Sequence, residues 1–177
     1  MLLKVDNKTE LRILEIADIS DIFNTIDTQR DYLGEWLPFV SSTNELSDTE
    51  DYVKSVINAI NFLAEQTFTI QVNGEFAGII GYKDTDWANK RTEIGYWLSE
   101  KFQRRGIMTR SVEKLCEYAF IDMDLNRVQI KCAVGNVRSK RIPIRLGFKL
   151  EGVERDGELL SNGKFTDIEI YSKLRNE

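Results

Sequence analysis

The chain of 177 residues contains no histidine, and that absence removes whole classes of chemistry before anything else is read. Ser-His and Cys-His nucleophilic catalysis and His-bearing zinc sites are closed to it. A general base must then be a carboxylate, tyrosine, lysine, cysteine or a water relay, and the chemistry expected needs no metal. Cysteine is nearly as scarce, with Cys116 and Cys132 alone. Two cysteines make no disulfide framework, and each sits in an apolar pattern that reads as a buried thiol. Proline occurs only twice, and no linker, low-complexity tract or internal repeat offers a place to divide the chain. Length and composition, 42% hydrophobic and 30% charged, suit one domain over residues 1–177. Long apolar runs are missing too. Nothing approaches the ~20 apolar residues that span a bilayer, and MLLKVDNKTE turns charged too soon for a signal-peptide core. The expected location is the cytoplasm, with no membrane partner.

What is present is charge, unevenly spread. The net charge is −5, yet residues 101–145 hold eleven Lys/Arg against four Asp/Glu, a local +7 that leaves −12 for the remainder. That polarity suggests an anionic ligand on one side and a cationic substrate on the other. Nucleic acid is the competing reading of the basic block. It lacks interleaved exposed aromatics and any recognisable binding motif, so no nucleic-acid partner is expected.

Periodicity divides the chain into elements. TELRIL (9–14) alternates as a strand, and residues 17–40 read as one or two helices ending near Pro38. Ser47 with Glu50 forms an S-x-x-E capping box, opening a helix with apolar Tyr52, Val53, Val56, Ile57 and Ile60. TFTIQVNGEFAGIIGYK (67–83) is two strands joined at Asn73-Gly74, the strongest short hairpin signal. TEIGYWLS (92–99) is a further strand. Helical spacing returns from Ile107 to Phe120, with Met108, Val112, Leu115 and Ala119 on one face. RVQIKCAV (127–134) alternates, NVRSKRIPIRLGF (136–148) reads as a short helix running into Gly147, and two strands around Asn162-Gly163 close the chain. The pattern predicts an α/β (α+β) fold, a mixed and mostly antiparallel seven-stranded sheet with about four helices on its faces.

Two stretches carry the chemistry. KFQRRGIMTR places Lys101, Arg104, Arg105 and Arg110 around Gly106 between a strand and a helix. A helix N-terminus offers unpaired N–H groups and partial positive charge, which suits a phosphate, and glycine permits close approach. The loop is neither GxxxxGK[ST] nor GxGxxG, and alone it could equally be a solvated basic helix start. The second stretch sets Asn136, Ser139 and Pro143 ahead of Gly147-Phe148, directly after the next strand.

Together, Gln103-x-x-Gly106 and Asn136-x-x-Ser139…Pro143-x-x-x-Gly147-Phe148 resemble the GNAT superfamily of acetyl-CoA-dependent N-acetyltransferases. More closely, the chain is similar to the RimJ/RimL branch, which includes ribosomal-protein alanine and serine N-acetyltransferases. YLGEWLP (32–38), EIGYWL (93–98), LNRVQIKC (125–132) and Asn162-Gly163 match that branch in order. The resemblance implies a GNAT sheet splayed between its fourth and fifth strands, with acetyl-CoA as donor, and admits a homodimer, an assembly common among relatives. It implies that Gln103, Arg104, Arg105, Gly106, Ile107, Met108, Thr109 and Arg110 cradle the CoA pyrophosphate. Met108 stands where most of the superfamily has Gly or Ala, a departure shared with the RimL-like serine acetyltransferases. Main chain at Trp97, Leu98 and Ser99 would pair with pantetheine, Leu98 also facing the thioester oxygen, and Asn136 would bond the pantetheine arm. Glu158 would be general base, through water, and Ser139 would protonate the departing thiolate. One extra residue separates Glu158 from Asn162-Gly163 relative to the usual spacing. Tyr32, Trp36 and Trp87 could line the acceptor groove.

The acceptor implied is a primary amine, foremost a protein N-terminal α-amino group such as that of a ribosomal protein. Its ordinary pKa of about 7.7–8.0 makes it easier to deprotonate at neutral pH than lysine at about 10.4. A small amine (polyamine, amino acid or antibiotic) is the alternative acceptor. A non-catalytic acetyl-CoA-binding module is the alternative class.

Overall fold

A computed structural model of the protein describes residues 1–60 and 66–177; residues 61–65, and the side chains of residues 59 and 60, lie outside the description. Ile60, assigned above to the apolar face of its helix, is therefore not placed there.

The strands are β1 (Leu2–Lys4), β2 (Thr9–Ile13), β3 (Gln66–Val72), β4 (Glu75–Asp86), β5 (Arg91–Leu98), β6 (Arg127–Ala133), β7 (Lys149–Leu159) and β8 (Phe165–Leu174). They form one sheet ordered β1-β2-β3-β4-β5-β6-β8-β7. Every described neighbour pair is antiparallel except β5–β6. Eight strands replace the seven expected. The addition is β1, three residues too short to show a periodicity, paired with β2 and packed on the core through Leu3. At Asn73 and Gly74, φ is 52° and 80°, the left-handed pair that a tight two-residue hairpin demands.

Helices α1 (Ile19–Thr28), α2 (Arg30–Gly34) and α3 (Leu46–Ile60) pack on one face, and α4 (Ile107–Ile121) and α5 (Val137–Arg145) on the other. Residues 17–40 thus hold two helices, and Pro38 opens a 3-10 turn instead of ending one. Strand alternation feeds both cores. Ile80, Tyr82 and Ile94 join Val112, Leu115 and Ala119 of α4, while Ile79 and Trp97 join Ile22, Ile26 and Val53. All four apolar positions read on α4 are buried, Met108 among them at 6% exposure. A larger side chain at that position is thus core packing.

The capping box of α3 is displaced by two residues. The helix starts at Leu46, and the Asp48 carboxylate accepts the main-chain N–H groups of Asn44 and Glu45, each at 2.8 Å. An acidic side chain reaching back from the first turn satisfies donors that the helix leaves unpaired. Ser47 is already inside the helix, which is why the S-x-x-E signal misplaced the start.

The one parallel pair among the described residues creates the site. β5 and β6 are joined at Arg91–Arg127, Thr92–Val128 and Glu93–Gln129, and no further. Beyond Glu93 the strands diverge, leaving the C-terminal half of β5 facing an opening. These are the fourth and fifth strands of the seven read from the sequence.

Candidate active site

Main-chain alternation decides which groups of β5 face the opening. Ser99 N–H donates to Ala77 O of β4 at 2.8 Å. Successive residues of a strand turn their N–H and C=O groups to opposite edges, so those of Leu98 and Tyr96 point toward the splay and those of Trp97 and Ser99 toward β4. Of the three main-chain positions expected to face a ligand, Leu98 is the one turned that way. The Leu98 carbonyl accepts a long bond from Tyr32 Oη, 3.4 Å.

Below the splay lies the basic loop. Gly106 caps α4 with φ 70°, and Arg104 is also left-handed at φ 61°. Two left-handed residues ahead of a helix curl successive N–H groups inward, a concavity suited to an anion. The first turn, Ile107, Met108 and Thr109, adds N–H groups with no intrahelical partner. The arginines behave differently from one another. Arg105 stacks on the Phe102 ring at 5.6 Å. Arg110 donates through Nε to Asp6 at 2.9 Å and through Nη1 to the Arg105 carbonyl at 3.1 Å, so its guanidinium fastens the loop to the β1–β2 turn. Lys101 is paired with Glu75. Gln103 Nε2 meets the Tyr32 hydroxyl, whose ring lies 5.9 Å from the Arg138 guanidinium. Tyr32 therefore belongs with the loop and not with the acceptor cavity.

On the β6 side, Asn136 caps α5, its Oδ1 accepting the Ser139 N–H at 3.1 Å. This places the Ser139 hydroxyl 3.3 Å from Cys132 Sγ and 3.2 Å from Tyr96 Oη, between the diverged strands. Burial pushes the Tyr96 phenol well above its ordinary pKa and raises the Cys132 thiol. Both stay protonated at neutral pH, so Ser139 sits among neutral hydrogen-bonding groups. Cys132 was read from the sequence as a buried thiol, and Tyr96 only as part of a strand. Their joint approach to Ser139 requires β5, β6 and α5 together, and no spacing signals it.

A cavity of about 750 Å³ opens from the splay toward α1 and α3. Its lining gathers Glu158, Ser139, Asn136, Trp36, Tyr96 and Trp97, joined by Glu93, which sequence reasoning did not single out. Glu158 stands where β7 slips by two residues against β8, between Glu154–Ile168 and Glu158–Thr166. A Cβ on Gly157 would come 2.8 Å from Ile168 Cγ1, so glycine lets the bulge lie flat before Glu158. Burial raises the Glu158 pKa above its ordinary 4.5; Lys83 and Lys131 oppose that shift, and Glu93 adds to it. Glu93 is 6% exposed, ion-paired with Lys83 at 2.8 Å and bonded to Gln129 Nε2 at 3.2 Å.

Trp36 forms another part of the wall, packed so closely on the β6–α5 turn that a Cβ at Gly135 would fall 2.6 Å from its ring. Gly135→Ala must displace the indole, and we expect the acceptor KM to change at least threefold with acetyl-CoA affinity unaltered, measured by steady-state kinetics and calorimetry. Trp87, 43% exposed on the β4–β5 connection, lies outside the cavity wall. Among the described residues no group of His, Cys, Asp or Glu could hold a metal ion, and no helix is long and apolar enough to cross a membrane.

A half-open sheet with an anion-binding loop at the foot of its splay defines an acyl-CoA transferase of the GNAT type. Comparison agrees: residues 8–149 match the acetyltransferase (GNAT) domain family, and the chain belongs to it. Within that family its relatives are of the RimL/RimJ type. It is 35% identical to the Bacillus subtilis protein named "Putative ribosomal N-acetyltransferase YdaF", over 98% of this chain and 95% of that protein. It is 27% identical to the ribosomal-protein-serine acetyltransferase of Escherichia coli, over 97% of this chain and 96% of that one. Among solved structures, RimL, a ribosomal L7/L12 α-N-protein acetyltransferase in complex with coenzyme A, superposes with a TM-score of 0.94 at 27% identity, covering 98% of both chains. The protein is an acetyl-CoA-dependent N-acetyltransferase of this type.

Proposed function

We propose that this enzyme acetylates the α-amino group of a protein N-terminus, with Glu158 as general base and Ser139 as proton donor. The observation that carries the reading is their meeting in the lining of one cavity although they come from separate elements, Glu158 on β7 and Ser139 on α5. Bound acetyl-CoA would supply an activated thioester. The residues present fit it: the loop from Gln103 to Arg110 offers inward N–H groups, and β5 offers Leu98 along the opening.

Each residue then has a definite task. The Leu98 N–H, fixed by the strand, is aimed where negative charge would develop on the acyl oxygen. Glu158, in its carboxylate form, takes the ammonium proton of the acceptor through water. The Ser139 Oγ–H breaks as its proton passes to the departing sulfur, and water restores it between turnovers. Asn136 holds Ser139 in register through the helix cap. Trp36 and Trp97 keep the cavity narrow. A homodimer and a cytoplasmic location accord with this reading.

A second reading has its own support. Asp48, Asp84, Glu93, Glu154 and Glu158 all line the cavity, against Lys83 and Lys131. Such a surplus of carboxylates suits a polycationic acceptor, and a spermidine N(1)-acetyltransferase of Escherichia coli is 26% identical over 90% of this chain. One experiment separates the two: mass spectrometry of protein N-termini from cells with and without the enzyme, alongside CoA release with an amine panel. Loss of acetylation at defined N-termini is expected. An unchanged set of N-termini together with polyamine turnover would replace the first reading by the second.

A further inference from the structure

Pro143 sits inside α5, where proline is ordinarily a defect. Its nitrogen carries no hydrogen, and its ring crowds the carbonyl four residues back. In α5 that carbonyl belongs to Ser139. Even a partly buried acceptor deprived of its donor is costly unless another group replaces it. Tyr96 does so, its hydroxyl donating to Ser139 O at 3.3 Å. A carbonyl can only accept, so the direction of this bond is settled. The phenol oxygen is left as an acceptor, and Ser139 Oγ donates to it at 3.2 Å. One tyrosine thus holds both the backbone and the side chain of the same serine. The C-terminus of the helix closes without drawing on Ser139: Gly147 N–H donates to Ile144 O and Phe148 N–H to Pro143 O, with Gly147 at φ 76°.

We propose that Pro143 and Tyr96 are positioning residues for Ser139, the missing N–H at position 143 releasing the serine carbonyl to the tyrosine hydroxyl that fixes the serine side chain at the splay. This rests on the reading of Ser139 as proton donor. It explains why a helix beside the site carries a proline after its serine, a feature that local stability alone would disfavour. Restoring an N–H at 143 re-forms the helical bond to Ser139 O and takes that acceptor from Tyr96. The serine then loses its fixed rotamer, while the loop ahead of α4 keeps its own fastening through Arg110 to Asp6 and the Arg105 carbonyl.

The test compares Pro143→Ala, Tyr96→Phe, Ser139→Ala and the pairwise doubles, assayed with acetyl-CoA and the amine that turns over in the panel above. Circular dichroism confirms folding. Pro143→Ala and Tyr96→Phe are each expected to lower kcat five- to twentyfold with KM for acetyl-CoA changed less than twofold. The Pro143→Ala/Tyr96→Phe double should be no worse than the poorer single, because both changes break one device. Wild-type kcat in Pro143→Ala, with Ser139→Ala impaired, would overturn the proposal and leave the role of Ser139 standing. Unimpaired Ser139→Ala would overturn that role, and this inference with it. Should Pro143→Ala not fold, Tyr96→Phe decides: its effect must vanish in the Ser139→Ala background, and an additive loss refutes the arrangement.

Discussion

Glu158→Gln is expected to lower kcat by about 100-fold or more, roughly 2.7 kcal/mol of lost transition-state stabilisation, with acetyl-CoA affinity unchanged. Glutamine keeps the shape and cannot accept the acceptor's proton. The pH profile gives a second, signed readout. Burial raises the Glu158 pKa, so the wild-type rate should climb with pH through an acid limb lying above the ordinary 4.5 of a glutamate. Glu158→Gln removes that limb. Its neighbours move it in opposite directions. Lys83→Met takes away a positive charge that favours the ionised form, and the limb shifts to higher pH. Glu93→Gln takes away a negative charge that disfavours it, and the limb shifts to lower pH. Stopped-flow or steady-state rates across pH would check all three, and a limb unmoved in both neighbours would transfer the base to another group.

Gly106→Ala should raise the KM for acetyl-CoA about tenfold or more with a smaller effect on kcat. At φ 70° an alanine is strained, and its Cβ would sit 2.7 Å from the Arg110 Nη1 that holds the Arg105 carbonyl. The loop then loses both its turn and its fastening. Asp6→Asn isolates the fastening. Asp6 accepts the Lys8 and Thr9 N–H groups through Oδ1 and Arg110 through Oδ2, contacts that hold its carboxyl below the usual range, the Lys8 N–H foremost. Asparagine retains the first pair and presents a donor to the guanidinium. Weaker acetyl-CoA binding by calorimetry is the outcome expected if Arg110 orders the loop. Tighter binding would mean that Asp6 competes with phosphate for Arg110, giving the arginine the direct role its sequence position suggested.

That arginine illustrates what a sequence conveys and what it withholds. Positive charge around Gly106 was visible in KFQRRGIMTR, and so was the helix that follows. Which cations face a ligand was not, because Asp6 lies about a hundred residues away and meets Arg110 only once β1 pairs with β2. Tyr32 and Trp36 are four residues apart in one motif, yet the first meets Gln103 of the basic loop and the second lines the cavity beside Gly135. Helix α2 ends between them, so nearness in sequence carries no shared face.

The sequence by itself determined the alternation of strand and helix, the Asn73-Gly74 turn, the buried stripe of α4 and the family. These follow from periodicity and turn chemistry, which are local and repeat along the chain. It also placed Asn136 and Ser139 correctly on α5, since a helix cap is a four-residue event. Only the tertiary structure decided the rest. The splay exists because β5 and β6 are parallel and pair over three residues, a relation between segments with a helix between them. Ser139 meets Tyr96 and Cys132, and Glu93 meets Lys83 beside Glu158, across strands whose register is set by the whole sheet. The approach of Ser139 to Tyr96, 43 positions away, is a property of packing, and no local pattern encodes it.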